Sequence, residues 1–173
     1  MIVSFYSGKT ADDRGRYLHD IQQWPDHSLE SVHDFIQWMF PLREPSGVNP
    51  TAPVLDTRTI SEFRARPDLQ DNLRKSWLRM LKFYGFEAKA DPGWIVERAA
   101  NFGERSKNWL TPYNHNHLRI TRIIKSLRAL GLEAEAAAFF EALAQIYHSP
   151  EFEGKISPVT FEYWQSAALQ LPS

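Results

Sequence analysis

Residues 114–133, NHNHLRITRIIKSLRALGLE, carry the helical period that decides the fold. At 100° per residue, Ile120, Ile123, Ile124, Leu127 and Leu130 fall within about 120° of one another, the width of face a packed helix buries. Asn114 or Asn116 is placed to cap the start and Gly131 the end. The polar residues are ordered as well. His115, Arg119, Arg122 and Ser126 stand at i, i+4, i+7 and i+11, in a stripe that borders the apolar face. Arginines in such a place have buried stems and shielded guanidinium groups. They either pair with carbonyls or acids inside the domain or receive an anionic group from outside.

Working outward, helical period dominates and strand-like alternation is nearly absent. The pattern predicts helices over about 11–23, ended by Pro25, and 28–40, with Ser28 as N-cap and Pro41 as stop. A short helix over 59–65 precedes a long one over 67–84, with Pro67 in its first turn and Gly85 as C-cap. Residues 86–93 read as a turn marked by DPG, and 94–107 as a helix loosened by Gly103. Helices over 134–147 and 158–169 follow. Residues 41–58, PLREPSGVNPTAPVLDTR, form a loop of unusual length, expected to be either a binding loop or a strap packed on the helices. The expected fold class is all-α, one domain over 1–173 with seven or eight helices and a long Pro-rich loop.

Composition bounds the function. Apolar residues make up 43% of the 173, with six Trp and eleven Phe, enough large side chains for a stable core without metals or disulfides. The absence of cysteine excludes disulfides, thiol catalysis, thiolate zinc sites and iron–sulfur clusters. A net charge of −1 argues against a nucleic-acid partner. The charge is uneven. Between Arg98 and Arg128 the only acid is Glu104, and between Glu133 and Glu162 the only base is Lys155, so the two regions are expected either to pack together and neutralise each other or to leave an anion-facing surface. The basic run Arg74, Lys75, Arg79 and Lys82 reads as a solvated helix face. No segment reads as a secretory signal or an integral membrane span, and the expectation is a cytoplasmic protein.

Few residues point to chemistry. Trp38 lies about 180° from Leu29 on its helix, well off the apolar face, and must be covered by the loop, a helix or a partner. Arg43 and Glu44, opposite charges between two prolines, suit a fixed turn reaching back into the domain, Arg43 toward an acid or carbonyl. His115 and His117 diverge on a helix, and no His-Glu-x-x-His pattern is present, so metal binding is not expected. No cofactor is implied either, since phosphate-binding glycine loops and nucleophile elbows are absent. His115 has no recognisable nucleophile to serve as base.

Three ordered stretches, HDFIQWMFPLREPS (33–46), LKFYG (81–85) and the opening one, resemble the conserved region of the opioid growth factor receptor family. The matching positions include Ile36, Gln37, Trp38, Phe40 to Pro45, His115, Asn116, Leu118 to Arg122. The resemblance implies a helical fold and a receptor-like role; the family's named member receives an enkephalin-type opioid peptide and restrains cell growth. It assigns no catalytic or ligand residues. The chain has the extent of the conserved region alone, as in short microbial members, so a short peptide is expected rather than the opioid in particular.

The leading expectation is a peptide- or protein-binding module taking a ligand with an anionic group, a peptide C-terminus or acidic side chain. Its recognition surface would comprise Trp38, Arg43, Glu44, His115, Asn116, Arg119 and Arg122. The alternatives are a small-molecule binder or enzyme using His115, Arg119 and Arg122 in a closed pocket, and a structural domain in which both arginines are paired internally. The sequence leaves the oligomeric state open.

Overall fold

The computed structural model describes residues 1–90 and 92–169; Asp91 of the DPG turn and residues 170–173 lie outside the described residues. Ten α-helices are found among the described residues, more than the seven or eight expected because residues 2–6 form one and the 28–40 region two, with one β-hairpin. The helices are α1 (Ile2–Tyr6), α2 (Leu18–Gln22), α3 (Asp26–Ser31), α4 (Ile36–Met39), α5 (Thr57–Ala65) and α6 (Pro67–Tyr84), then α7 (Phe102–Arg105), α8 (His115–Ala129), α9 (Glu133–His148) and α10 (Pro158–Leu169). Between α6 and α7, strands β1 (Phe86–Ala90) and β2 (Trp94–Arg98) pair antiparallel, with Phe86 opposite Arg98 and Ala90 opposite Trp94.

Two groups of helices share one core. Helices α1, α2 and α5 pack on α6, while α8, α9 and α10 pack on one another. The hairpin joins the groups, β1 lying against α6 and β2 against α9. The apolar cluster runs without interruption from Ile2 to Ala167. Helix α6 forms where its sequence indicates. Leu69, Leu73, Trp77, Met80, Leu81 and Tyr84 are buried along one face. Gly85 closes the helix at φ 93°, and its N–H bonds the Leu81 and Lys82 carbonyls. A Cβ at Gly85 would meet the Phe102 Cα at 3.0 Å, so glycine is required there by both backbone and space.

The structure corrects four expectations. The 94–107 segment is a strand, a short helix and a 3₁₀ turn (Ser106–Asn108), not one helix. The Pro-Gly turn, with Gly93 at φ 78°, folds β-branched Ile95 and Val96 back along β1, so all-α is only approximate. The 11–23 segment is helical only from Leu18. Ahead of it, the Asp12 carboxylate accepts from the Arg14 and Arg16 N–H groups, both at 2.9 Å, and this local bonding displaces the helix. The 28–40 segment is two helices, α3 beginning after Pro25 rather than at Ser28. Val32 is extended where they part, and its carbonyl, with that of Leu29, is bonded by Arg119 instead of by the next helical turn.

The charge expectations also change. Between the basic and acidic regions the described ion pair is Arg98–Glu151 at 3.3 Å; Glu133 and Glu135 are held by Arg64 and Arg74, from α5 and α6. Arg74 and Arg79 are therefore not a solvated face. Arg74 binds Glu135 at 2.8 Å, and Arg79 binds the Trp24 carbonyl at 2.7 Å and Asp26 at 2.8 Å. Lys75 and Lys82 remain exposed.

Candidate functional site

Helix α8 begins at Asn114, whose side chain accepts the Asn116 N–H at 3.0 Å. Its core face, Ile120, Ile123, Ile124 and Leu127, is fully buried, which fixes the direction of the polar stripe. Most of that stripe grips main-chain carbonyls. Arg119 donates to the Leu29 carbonyl at 2.7 Å and to the Val32 carbonyl at 2.9 Å, and its guanidinium lies over the Phe35 ring. Arg122 Nε donates to the Phe40 carbonyl at 2.8 Å, and Ser126 Oγ to the Pro41 carbonyl at 2.8 Å. The stripe thus clamps α3, α4 and the start of the Pro-rich strap onto α8.

The strap is tied down elsewhere too. The Leu55 N–H bonds the Leu42 carbonyl at 2.8 Å, and Asn49 bonds the Asp34 carbonyl at 3.3 Å. Between strap, α4 and α8 lies a cleft of about 390 Å³. Its walls are Ile36, Leu42, Val48 and Leu118, and its polar lining includes His33, His115, Arg119, Arg122 and Lys125. Among the described residues that line it there is no carboxylate. Val48 is 86% and Leu118 74% exposed, so the cleft is a groove with an apolar, solvent-facing rim rather than a closed pocket.

The two arginines differ in what they leave free. Both terminal nitrogens of Arg119 are occupied by carbonyls. Arg122 spends only Nε; among the described residues its terminal nitrogens carry no hydrogen bond, and the side chain lines the cleft. Burial pushes the Arg122 pKa down to about 10, with Glu44 opposing, so the group is still cationic at neutral pH. Glu44 does not reach it. Glu44 pairs with Lys125 at 3.3 Å.

At the groove's mouth His115 Nε2 meets Glu30 Oε1 at 2.9 Å, and the His33 ring stands edge-on to His115. Burial lowers the His115 imidazole below its ordinary value; Glu30 opposes this, and Arg119 and His33 add to it. With Nε2 protonated, the ring donates to the Glu30 carboxylate. Burial alone would raise Glu30, but hydrogen bonds from Asn108 and Asn116, with the charges of His115 and Arg119, hold it below the ordinary range.

The other expected site residues lie elsewhere. Trp38 is 3% exposed, set in the core against Phe5, with its Nε1–H unpartnered. The break between α3 and α4 turns it inward, off the surface that a continuous helix would have given it. Asn116 is fully buried, bonded to Glu30 at 3.1 Å. Arg43 is exposed and bonds the Thr57 hydroxyl at 3.5 Å, neither an acid nor a carbonyl. His117 faces away from the groove, with Nε2 against the Trp109 carbonyl at 2.8 Å. Sequence reasoning missed His33, Ile36, Leu42, Val48, Leu118 and Lys125 as groove residues. Leu118, an apolar residue off the core face of α8, was the one available signal.

Residues 1–166 match the family described as the opioid growth factor receptor conserved region. The chain is 44% identical over 135 residues to the opioid growth factor receptor of Homo sapiens, covering 76% of this chain and 20% of that protein. The Rattus norvegicus receptor is 42% identical over 135 residues, with 76% and 23% covered. Opioid growth factor receptor-like protein 1 of Mus musculus is 39% identical over 136 residues, with 76% and 29% covered. The chain thus spans under a third of the length of these relatives. No solved structure matches it.

Proposed function

The chain belongs to the opioid growth factor receptor conserved-region family, and from that we propose that it is a peptide- or protein-binding module. The ligand presents an anionic group to Arg122 in the groove on α8. One observation carries the reading: a guanidinium anchored through Nε to the Phe40 carbonyl, with two terminal nitrogens that carry no hydrogen bond and an apolar-walled groove without a carboxylate among the described residues. A guanidinium held this way is preorganised for planar, two-point contact with a carboxylate. The groove's volume is at the small end of the ~300–1,000 Å³ of ligand sites. That the relatives are named receptors supports a ligand-binding role. No helix among the described residues is long and apolar enough to cross a membrane.

A purely structural role has support for part of the stripe. Arg119 and Ser126 are committed to carbonyls of α3 and the strap and specify the fold. The recognition surface is accordingly Arg122, with His115 and Lys125 at its edges. A panel of short peptides, acidic, neutral and basic, an enkephalin-type peptide among them, titrated by calorimetry into wild type and Arg122→Gln tests the proposal. The glutamine amide keeps a donor for Phe40. Acidic peptides should bind wild type and lose affinity in the variant. Equal binding to both proteins would remove Arg122 from the site.

A further inference from the structure

Within that reading, we infer that the groove takes the last residue of a peptide, its α-carboxylate on Arg122 and its apolar side chain between the walls. Arg122, whose terminal nitrogens carry no hydrogen bond among the described residues, and the apolar side chains Ile36, Leu42, Val48 and Leu118 line the same small cleft. A ligand filling both must carry a carboxylate and an apolar group close together and pointing one way.

An internal acidic residue meets this poorly. In an extended chain, neighbouring side chains point to opposite faces, so an Asp or Glu in the groove sends the next apolar side chain away from it. Residues two apart share a face, but they are separated by roughly 6–7 Å of strand rise. The chain must also leave the groove in both directions. A terminal residue carries carboxylate and side chain on one Cα and leaves in one direction only, past the exposed rim of Val48 and Leu118.

Charge complementarity favours the same occupant. The titratable lining is His33, His115, Arg119, Arg122 and Lys125, all basic types, without a carboxylate among the described residues there. Glu30 and Glu44 are engaged by His115 and Lys125. Arg122 is thus left with a cationic edge that no internal acid occupies. A peptide amine terminus would meet like charge, apolar walls and the neutral Gln37, Ser46 and Thr121, with no carboxylate among the described lining residues.

The test uses three hexapeptides of one sequence ending in Leu: the free acid, the C-terminal amide, and the amide with Asp at the fourth position. Octanoate serves as a non-peptide carboxylate. Calorimetry on the wild-type chain should give the free acid at least about tenfold tighter binding than either amide, the order expected from losing one charge-assisted contact. Arg122→Gln should abolish that difference. If Arg122→Gln does not fold, Leu118→Asp keeps the proposal testable, because Leu118 is 74% exposed; beyond the loss of an apolar wall that all three peptides share, the added like charge at the rim should weaken the free acid more than the uncharged amide and narrow the difference between them. Equal binding of the Asp-containing amide would overturn terminal recognition and leave the binding-module reading standing. Octanoate binding as tightly as the free acid would overturn it in favour of a small-molecule site. Binding by none of the peptides, here and across the wider panel, would overturn both readings.

Discussion

Replacing Arg119 with alanine probes the clamp that holds the fold and the groove together. Arg119 is 5% exposed, and its two terminal nitrogens donate to the Leu29 and Val32 carbonyls at 2.7 and 2.9 Å. Hydrogen bonds from a charged donor contribute about 1.5–3 kcal/mol each, and stranded buried carbonyls add a desolvation cost. The guanidinium lying over the Phe35 ring is lost too. Partial rehydration of the two carbonyls offsets some of this, and the net loss should be roughly 3–5 kcal/mol. With a urea m value of about 2 kcal/mol/M, the denaturation midpoint should fall by about 2 M. Arg122→Ala removes one carbonyl bond from a less buried side chain and should cost about 1–2 kcal/mol. Lysine at 119 should not restore stability, since an ammonium does not reproduce the planar fork that reaches both carbonyls. An Arg119→Ala midpoint within about 0.3 M of wild type would refute the clamp.

Trp77 is fully buried at the centre of α6, and Trp77→Ala should lower stability by roughly 3–5 kcal/mol in the same assay. Gly85→Ala places a Cβ at positive φ against Phe102 and should cost about 2 kcal/mol or more; an unchanged thermal midpoint would contradict the left-handed cap. Burial lowers both His115 and His117 in the folded chain, so the unfolded chain takes up protons first as pH falls below about 6.5. Stability should therefore decline from about pH 6.5 downward, and further below about 4.5 as Glu30 is protonated, while remaining unaffected by these groups above pH 7. Urea midpoints at pH 7.5 and 5.5 check the sign, and a higher midpoint at 5.5 would show it to be wrong.

What was legible in the sequence follows from where the deciding interactions lie. Helices α6, α8 and α10 show because they carry their own punctuation, Pro67 and Gly85, Asn114 and Gly131, and Pro158, while α9 shows through its run of strong helix formers. The break between α3 and α4 was not legible. Its cause is Arg119, 87 and 90 residues away from the carbonyls it takes. The hairpin was half legible, since the DPG turn was evident while the β-branched pair after it was read as helix. In the site, the stripe on α8 showed because helical spacing is local. The groove did not, because its other wall comes from the strap and α4, joined to α8 only through tertiary contacts. Trp38 misled for the same reason as the helix break, since its direction depended on a continuity that the fold does not have.

The central claim, that the groove on α8 is where a ligand's carboxylate meets Arg122, is tested most directly by NMR of the wild-type chain. Side-chain guanidinium and methyl resonances would be followed while the Leu-terminated free-acid hexapeptide is added. Saturable shifts are expected at the Arg122 guanidinium and at the Ile36, Leu42, Val48 and Leu118 methyls, with the Arg119 guanidinium, held by its carbonyls, shifting little. Shifts confined to residues outside the groove, or a peptide that binds while leaving Arg122 unperturbed, would contradict it.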